Sequence, residues 1–83
     1  MKFITGNLYH VESTSVNFNC IGEYVEYRKE KAAHYFRTIR AISDWNQRIF
    51  SFSGKETDVF EQEFHDIQIK DLGSAEENPE YLL

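Results

Sequence analysis

Metal ligation is the first chemistry to consider, because the chain contains side chains that bind soft metal ions. The candidates are His10, His34, His65 and Cys20. Zinc sites place such ligands in short, recurring spacings. None of the four residues follows such a spacing, so the sequence predicts neither a metal site nor a bound cofactor.

Acid–base catalysis is the second possible chemistry. His65 and Asp66 are adjacent, and Glu61 and Glu63 precede them. A catalytic pair of this kind needs a nucleophile nearby or a loop that stabilises an oxyanion. The neighbouring sequence supplies neither and is typical of a solvated acidic turn. We therefore predict no catalytic residue and no enzymatic activity.

The single cysteine and a cluster of hydroxyl side chains have structural interpretations. Cys20 precedes an apolar run and has no cationic neighbour to lower the pKa of its thiol, so it is expected to be a small buried hydrophobe. The cluster Ser13-Thr14-Ser15 lacks the glycines that let a backbone wrap around a phosphate, so we expect it to cap a loop.

The same composition indicates a cellular location. One cysteine cannot form an internal disulfide, whereas small secreted domains are usually rich in disulfides. No apolar run approaches the roughly 18 residues of a membrane span, and the first ten residues lack the apolar stretch of a signal peptide. We expect a cytoplasmic protein with no membrane partner.

Charge is distributed unevenly along the 83 residues, whose net charge is −5. Residues 1–55 contain eight basic and five acidic side chains, a net +3, and residues 56–83 contain one basic and nine acidic side chains, a net −8. The basic stretch 28–48 also contains Tyr35, Phe36 and Trp45. Basic side chains interleaved with aromatic rings are typical of surfaces that bind nucleic acids.

Four segments have the composition or the alternation of β-strands. They are "KFITGNLYHV", "CIGEYVEY", "RIFSFS" and "HDIQIKD". Residues 30–43 are ambiguous, because Ala32, Tyr35, Phe36, Ile39 and Ile42 also fall on one stripe of an amphipathic helix. The predicted core is aromatic and contains Tyr27, Phe50, Phe52, Phe64 and Ile67.

The order of these segments resembles an SH3-like small β-barrel. The stretch "GNLYHVESTSVNFNCIGEYVEY" carries most of the resemblance, and "VFEQEFHDIQI" supplies its end. The resemblance implies a mainly β fold, a small antiparallel barrel of about five strands. The alternative is an α+β fold in which a helix at residues 30–43 packs on an antiparallel sheet. We predict one compact domain over residues 1–72 and a disordered acidic tail over residues 73–83.

Two functional hypotheses remain. In its brevity and acidity the chain resembles small phage-encoded proteins that bind and modulate a host factor, which implies a non-enzymatic protein-binding module. Its surface would comprise the 12–20 loop, the 28–33 turn and exposed tyrosines such as Tyr9 and Tyr24, while an acidic row would bind a basic partner. That row is Asp58, Glu61, Glu63 and Asp66.

The second hypothesis is a small nucleic-acid-binding β-barrel. Cations of the basic stretch would contact the phosphate backbone. They are Arg28, Lys29, Lys31, Arg37 and Arg40. The acidic segment after residue 56 opposes this hypothesis, because it repels phosphates.

Overall fold

The computed structural model describes residues 2–15, 17–42, 47–59 and 66–82. They form six antiparallel strands and one 3-10 helix. The elements are β1 Asn7–Ser13, β2 Phe18–Arg28, β3 Ala33–Ala41, β4 Ile49–Lys55, β5 Asp58–Val59, β6 Gln68–Ser74 and the 3-10 helix Pro79–Leu82. The strand order is β5-β4-β3-β2-β1-β6. The predicted mainly β fold is confirmed. Within the described residues the sheet is open, because β5 and β6 lie at opposite ends of it.

Strand β3 occupies the ambiguous region, so the helical alternative for residues 30–43 is wrong. The backbone of β3 pairs with β2 on one side and β4 on the other, which satisfies its amide and carbonyl groups. The apolar stripe wrongly indicated a helix, because a central strand can be apolar on both faces. His34 and Phe36 are buried on the inner face, whereas Tyr35 is half-buried on the outer face.

The core fills the inner face of the sheet with aromatic rings. Phe50 and Phe52 are buried as predicted, and Ile67 packs against the cluster. Tyr27 is half-buried, with its hydroxyl donating to the carbonyl of Gly54 at 2.9 Å, and Phe64 lies outside the described residues. Sequence reasoning missed Phe3. Its ring stacks on Tyr24 with centroids 5.1 Å apart, and it comes from the segment before β1.

A glycine in β2 makes room for two of these rings. Phe36 and Phe50 are stacked with centroids 5.0 Å apart and planes inclined by 7°. A Cβ atom at Gly22 would lie 2.5 Å from Cζ of Phe50 and 3.1 Å from Cβ of Phe36. The register between β2 and β3 also shifts between Ile21 and Gly22. Any side chain at residue 22 would therefore displace the ring of Phe50.

The chain beyond residue 72 belongs partly to the sheet. Gly73 and Ser74 pair with Leu8 and Asn7 of β1, so the predicted domain boundary at residue 72 falls inside β6. A turn at residues 75–77 follows, and the 3-10 helix then lies next to β3. Strand pairing corrects the prediction of a disordered tail from residue 73, since the first two residues of that tail are β-structure.

The aromatic core should dominate stability. Phe50→Ala or Phe52→Ala removes a buried ring, which costs about 3 to 5 kcal/mol in typical cores. We expect either variant to lose most of its cooperative thermal transition, measured by circular dichroism. Ile49→Ala, whose side chain is exposed on the same strand, is the matched control and should melt close to the wild type. Melting temperatures equal to the wild type for both Phe variants would contradict the described core.

A buried hydroxyl offers the opposite test. The Oγ1 atom of Thr38 is buried and has no hydrogen-bond partner among the described residues. An unsatisfied buried polar group costs about 1 to 3 kcal/mol. Thr38→Val keeps the shape and removes the hydroxyl, so it should raise the free energy of unfolding by about 1 kcal/mol in urea titrations. Thr38→Ser keeps the hydroxyl and loses the methyl, and it should be less stable than the wild type.

Candidate functional site

The two tyrosines predicted to contact a partner lie in the core, so their predicted exposure is wrong. Tyr9 is 0% exposed and Tyr24 is 6% exposed. The hydroxyl of Tyr9 accepts from the amide of Ile4 at 2.9 Å. Burial raises the pKa of both phenols. The nearby phenol of Tyr9 and carboxylate of Glu26 raise the pKa of Tyr24 further.

A buried histidine links three elements of the core. His34 is 0% exposed, and its Nε2 donates to the carbonyl of Lys55 at 2.6 Å. Its Nδ1 then accepts from the hydroxyl of Tyr24 at 2.8 Å. The ring also packs against Tyr27, with centroids 4.7 Å apart. Both ring nitrogens are therefore occupied within the protein, and His34 ties β2 and β3 to the end of β4.

Asp66 of the predicted acidic row binds the loop between β1 and β2. Its carboxylate accepts hydrogen bonds from Ser13 Oγ at 2.5 Å, Thr14 Oγ1 at 2.6 Å, Ser15 N at 2.8 Å and Ser15 Oγ at 2.8 Å. These hydrogen bonds hold the pKa of Asp66 well below its usual range. The hydroxyl cluster thus acts in loop structure, as the sequence indicated, and it binds a carboxylate of the same chain.

The rest of the acidic row is not brought together by the described structure. Asp58 pairs through its backbone with Lys55 across a tight turn. Glu61 and Glu63 lie outside the described residues. Of the four predicted contacts, only Asp66 has a described side chain, and that side chain is engaged by residues 13–15.

The five predicted nucleic-acid contacts are spread along one hairpin. Arg28, Lys29 and Lys31 lie at the β2–β3 turn, while Arg37 and Arg40 lie on β3. Arg28 pairs with Ala33, and Arg40 lies seven residues after Ala33 on β3. Seven residues of extended strand span about 23 Å. The cations therefore form a line and not a compact cluster.

Arg28 and Arg37 each lie beside an acidic side chain. Arg37 makes an ion pair with Glu23 on the neighbouring strand, and its Nε also donates to Glu23 at 3.2 Å. The Nε of Arg28 lies 3.7 Å from the carboxylate of Glu26, with the two side chains 40% and 52% exposed. Exposed pairs of this kind contribute little to stability, so both cations can exchange their partners.

The outer side of β3 presents a tyrosine between two arginines. Tyr35 points away from the core, and the guanidinium carbon of Arg28 lies 4.1 Å from the centroid of its ring. Arg37 is two residues further along the same face, and Ile49 of β4 pairs with it while remaining 49% exposed. We call Arg28, Tyr35, Arg37 and Ile49 the outer β3 face.

Sequence reasoning named Arg28 and Arg37 among the nucleic-acid contacts but did not name Tyr35 or Ile49, because the helical stripe placed Tyr35 in the core. The alternation His34, Tyr35, Phe36, Arg37 contained the signal. In a strand it puts Tyr35 and Arg37 on one side and His34 and Phe36 on the other.

A small open cleft lies beside the outer β3 face. Its volume is about 260 Å³, which suits one side chain better than a drug-sized ligand. Its lining comes from the turn before β1, from β2 and from the turn after β6. The residues are Thr5, Gly6, Asn7, Glu23, Ser74, Ala75 and Glu76. Glu23 lines the cleft and also makes the ion pair with Arg37.

Two further kinds of site to consider in the described part of the chain are a metal site and a membrane span. Among the described residues, no group of three or more histidine, cysteine, aspartate or glutamate side chains is arranged to hold a metal ion. In that part of the chain, none of the helices is long and apolar enough to cross a membrane. Comparison with protein-family models, with characterised proteins and with solved structures finds no match to this chain. Functional inference therefore depends on the geometry of the described surfaces.

The Asp66 contacts predict a specific acid response. Because the pKa of Asp66 is lowered by folding, its contribution to stability is complete above the unfolded value of about 4 and is lost as pH falls below it. Asp66→Asn should melt at a lower temperature than the wild type at neutral pH. The gap between the two proteins should narrow as the pH falls from about 4 to about 2.5. A gap of constant size over that range, measured by calorimetry, would contradict this role.

Proposed function

We propose that this protein is a non-enzymatic binding module that contacts another protein through the outer β3 face. The described side chains that could carry out acid–base chemistry support this proposal, because their hydrogen bonds stabilise the fold. His34 bonds to Tyr24 and Lys55, and Asp66 bonds to the loop at residues 13–15. What remains for function is a surface.

The observation that carries the proposal is the partly exposed pair of Arg28 and Tyr35 on a rigid sheet. Tyrosine and arginine are enriched among the residues that dominate protein–protein binding energies. Ile49 adds exposed apolar area, and Arg37 adds a second guanidinium. Because the backbone of these residues is already paired in the sheet, docking orders their side chains and loses little backbone entropy.

The chain's resemblance to small phage-encoded proteins supports a more specific version, in which the module modulates or inhibits a host factor. The resemblance to an SH3-like barrel stays a prediction, as does a cytoplasmic location. A basic partner for the acidic row has less support from the structure than from the sequence, because Asp66 is bound to residues 13–15.

Nucleic-acid binding is the second candidate, and the same face favours it. Arg28 and Arg37 flank Tyr35, so the two cations could contact phosphates while the ring stacks on a base. One feature opposes it, because the net charge of −5 repels polyanions.

Affinity capture from lysate with quantitative mass spectrometry tests the first candidate. Tyr35→Ala should reduce recovery of the specific partner at least about tenfold, since truncating a central aromatic contact costs about 2 kcal/mol or more. Ile42→Ala is the matched control, because Ile42 is an exposed apolar residue just beyond the end of β3. Equal recovery by the wild type and Tyr35→Ala would contradict the proposed face.

The second candidate is measured with the same proteins. Fluorescence anisotropy with a labelled single-stranded oligonucleotide at about 150 mM salt should show no binding if the module is specific for protein. A micromolar dissociation constant that Arg37→Glu weakens would instead support nucleic-acid binding.

A further inference from the structure

The C-terminal segment runs over the side of the sheet that carries the outer β3 face. After β6 ends at Ser74, residues 74–76 line the cleft together with Glu23 of β2. Glu23 is the ion-pair partner of Arg37. The 3-10 helix Pro79–Leu82 then lies next to β3. Because the strand order is β3-β2-β1-β6, the segment passes from β6 across β1 and β2 to the strand that presents Tyr35 and Arg37.

Local hydrogen bonds hold this segment in its turn. The backbone amide and Nδ2 of Asn78 both donate to the carbonyl of Ser74, at 3.1 and 3.0 Å. The amide of Glu77 donates to Ser74 Oγ at 3.2 Å. Among the described residues, the carboxylates of Glu76, Glu77 and Glu80 make no hydrogen bond or ion pair. The contact with β3 thus lacks a fixed polar anchor.

The C-terminal segment and the β2–β3 hairpin carry opposite charge. Residues 75–83 contain three glutamates and no basic side chain. The hairpin carries the exposed cations Lys29 and Lys31 at its turn, besides the arginines of the outer β3 face. An acidic peptide is already placed beside a basic and aromatic surface within one molecule.

We propose that the outer β3 face binds an acidic peptide segment of a partner protein, and that the chain's own residues 75–82 cover part of this face until the partner displaces them. The inference rests on the proposed function and names the partner's chemistry. A tethered segment competes at an effective concentration of about millimolar. The uncovered face therefore binds the partner more tightly than the intact protein does.

The test uses the full chain, labelled with ¹⁵N, and a synthetic acetylated peptide that copies residues 75–83. We expect saturable chemical-shift changes at the amides of Tyr35 and Arg37. Asn78→Ala removes one bond that holds the tethered segment and should tighten peptide binding by about threefold or more. Ser74→Ala, which removes the bond to the amide of Glu77, is a second variant with the same expected direction.

Charge recognition is tested with matched controls. The same peptide with its three glutamates replaced by glutamine should bind at least about fivefold more weakly, and Arg37→Gln should weaken binding of the original peptide. Lys55→Gln, which removes an exposed cation at the far end of β4, should leave it unchanged. Equal affinity for both peptides, or no shift at Tyr35 and Arg37 in any variant, would overturn the inference.

The outcomes separate this inference from the proposed function. If the peptide does not bind while Tyr35→Ala still loses the captured partner, the face binds protein and only its acidic specificity is wrong. If oligothymidylate binds more tightly than the peptide in the same titration, the occupant is a nucleic acid and the inference is overturned.

Discussion

The stacking of Phe36 on Phe50 above Gly22 is the contact on which the rest of the structure depends. The two rings are stacked with centroids 5.0 Å apart and occupy the space that a side chain at residue 22 would need. Their position fixes the inner face of β3 and β4. Once Phe36 points inward, Tyr35 and Arg37 must point outward, because side chains alternate along a strand. The candidate binding surface is thus a geometric consequence of the core.

Acidic side chains in this protein hold backbone segments together. Asp66 accepts four hydrogen bonds from residues 13–15, and Asp71 accepts from Asn7 Nδ2 at 3.3 Å and from the amide of Gly73 at 2.8 Å. Glu23 binds Arg37 across two strands. Fewer carboxylates are therefore available to a partner than the net charge of −5 suggests. Part of that charge is used to close the loops at the ends of β1 and β6.

Local pattern predicted the mainly β fold and the burial of Phe50 and Phe52, because "RIFSFS" alternates strictly. The same reasoning could not decide residues 33–41, whose apolar positions suit both a helical stripe and a strand buried on two faces. Pairing with β2 and β4 decides it, and such pairing is not local. The site was harder to predict than the fold. The burial of Tyr9 and Tyr24 depends on partners for their hydroxyls, which are the amide of Ile4 before β1 and the ring of His34 on the strand that pairs with β2. The role of Asp66 depends on residues more than fifty positions away. A row of acidic residues in sequence therefore cannot be assumed to be a row in space.

The burial of Cys20 has a consequence for how opening of the fold can be observed. The thiol is 0% exposed, and burial raises its pKa, so it stays protonated and out of reach of alkylating reagents while the sheet is intact. It is also the only thiol of the chain. The rate at which a reagent modifies the protein therefore measures how often the fold opens far enough to expose Cys20, at a position within the core and without any introduced label.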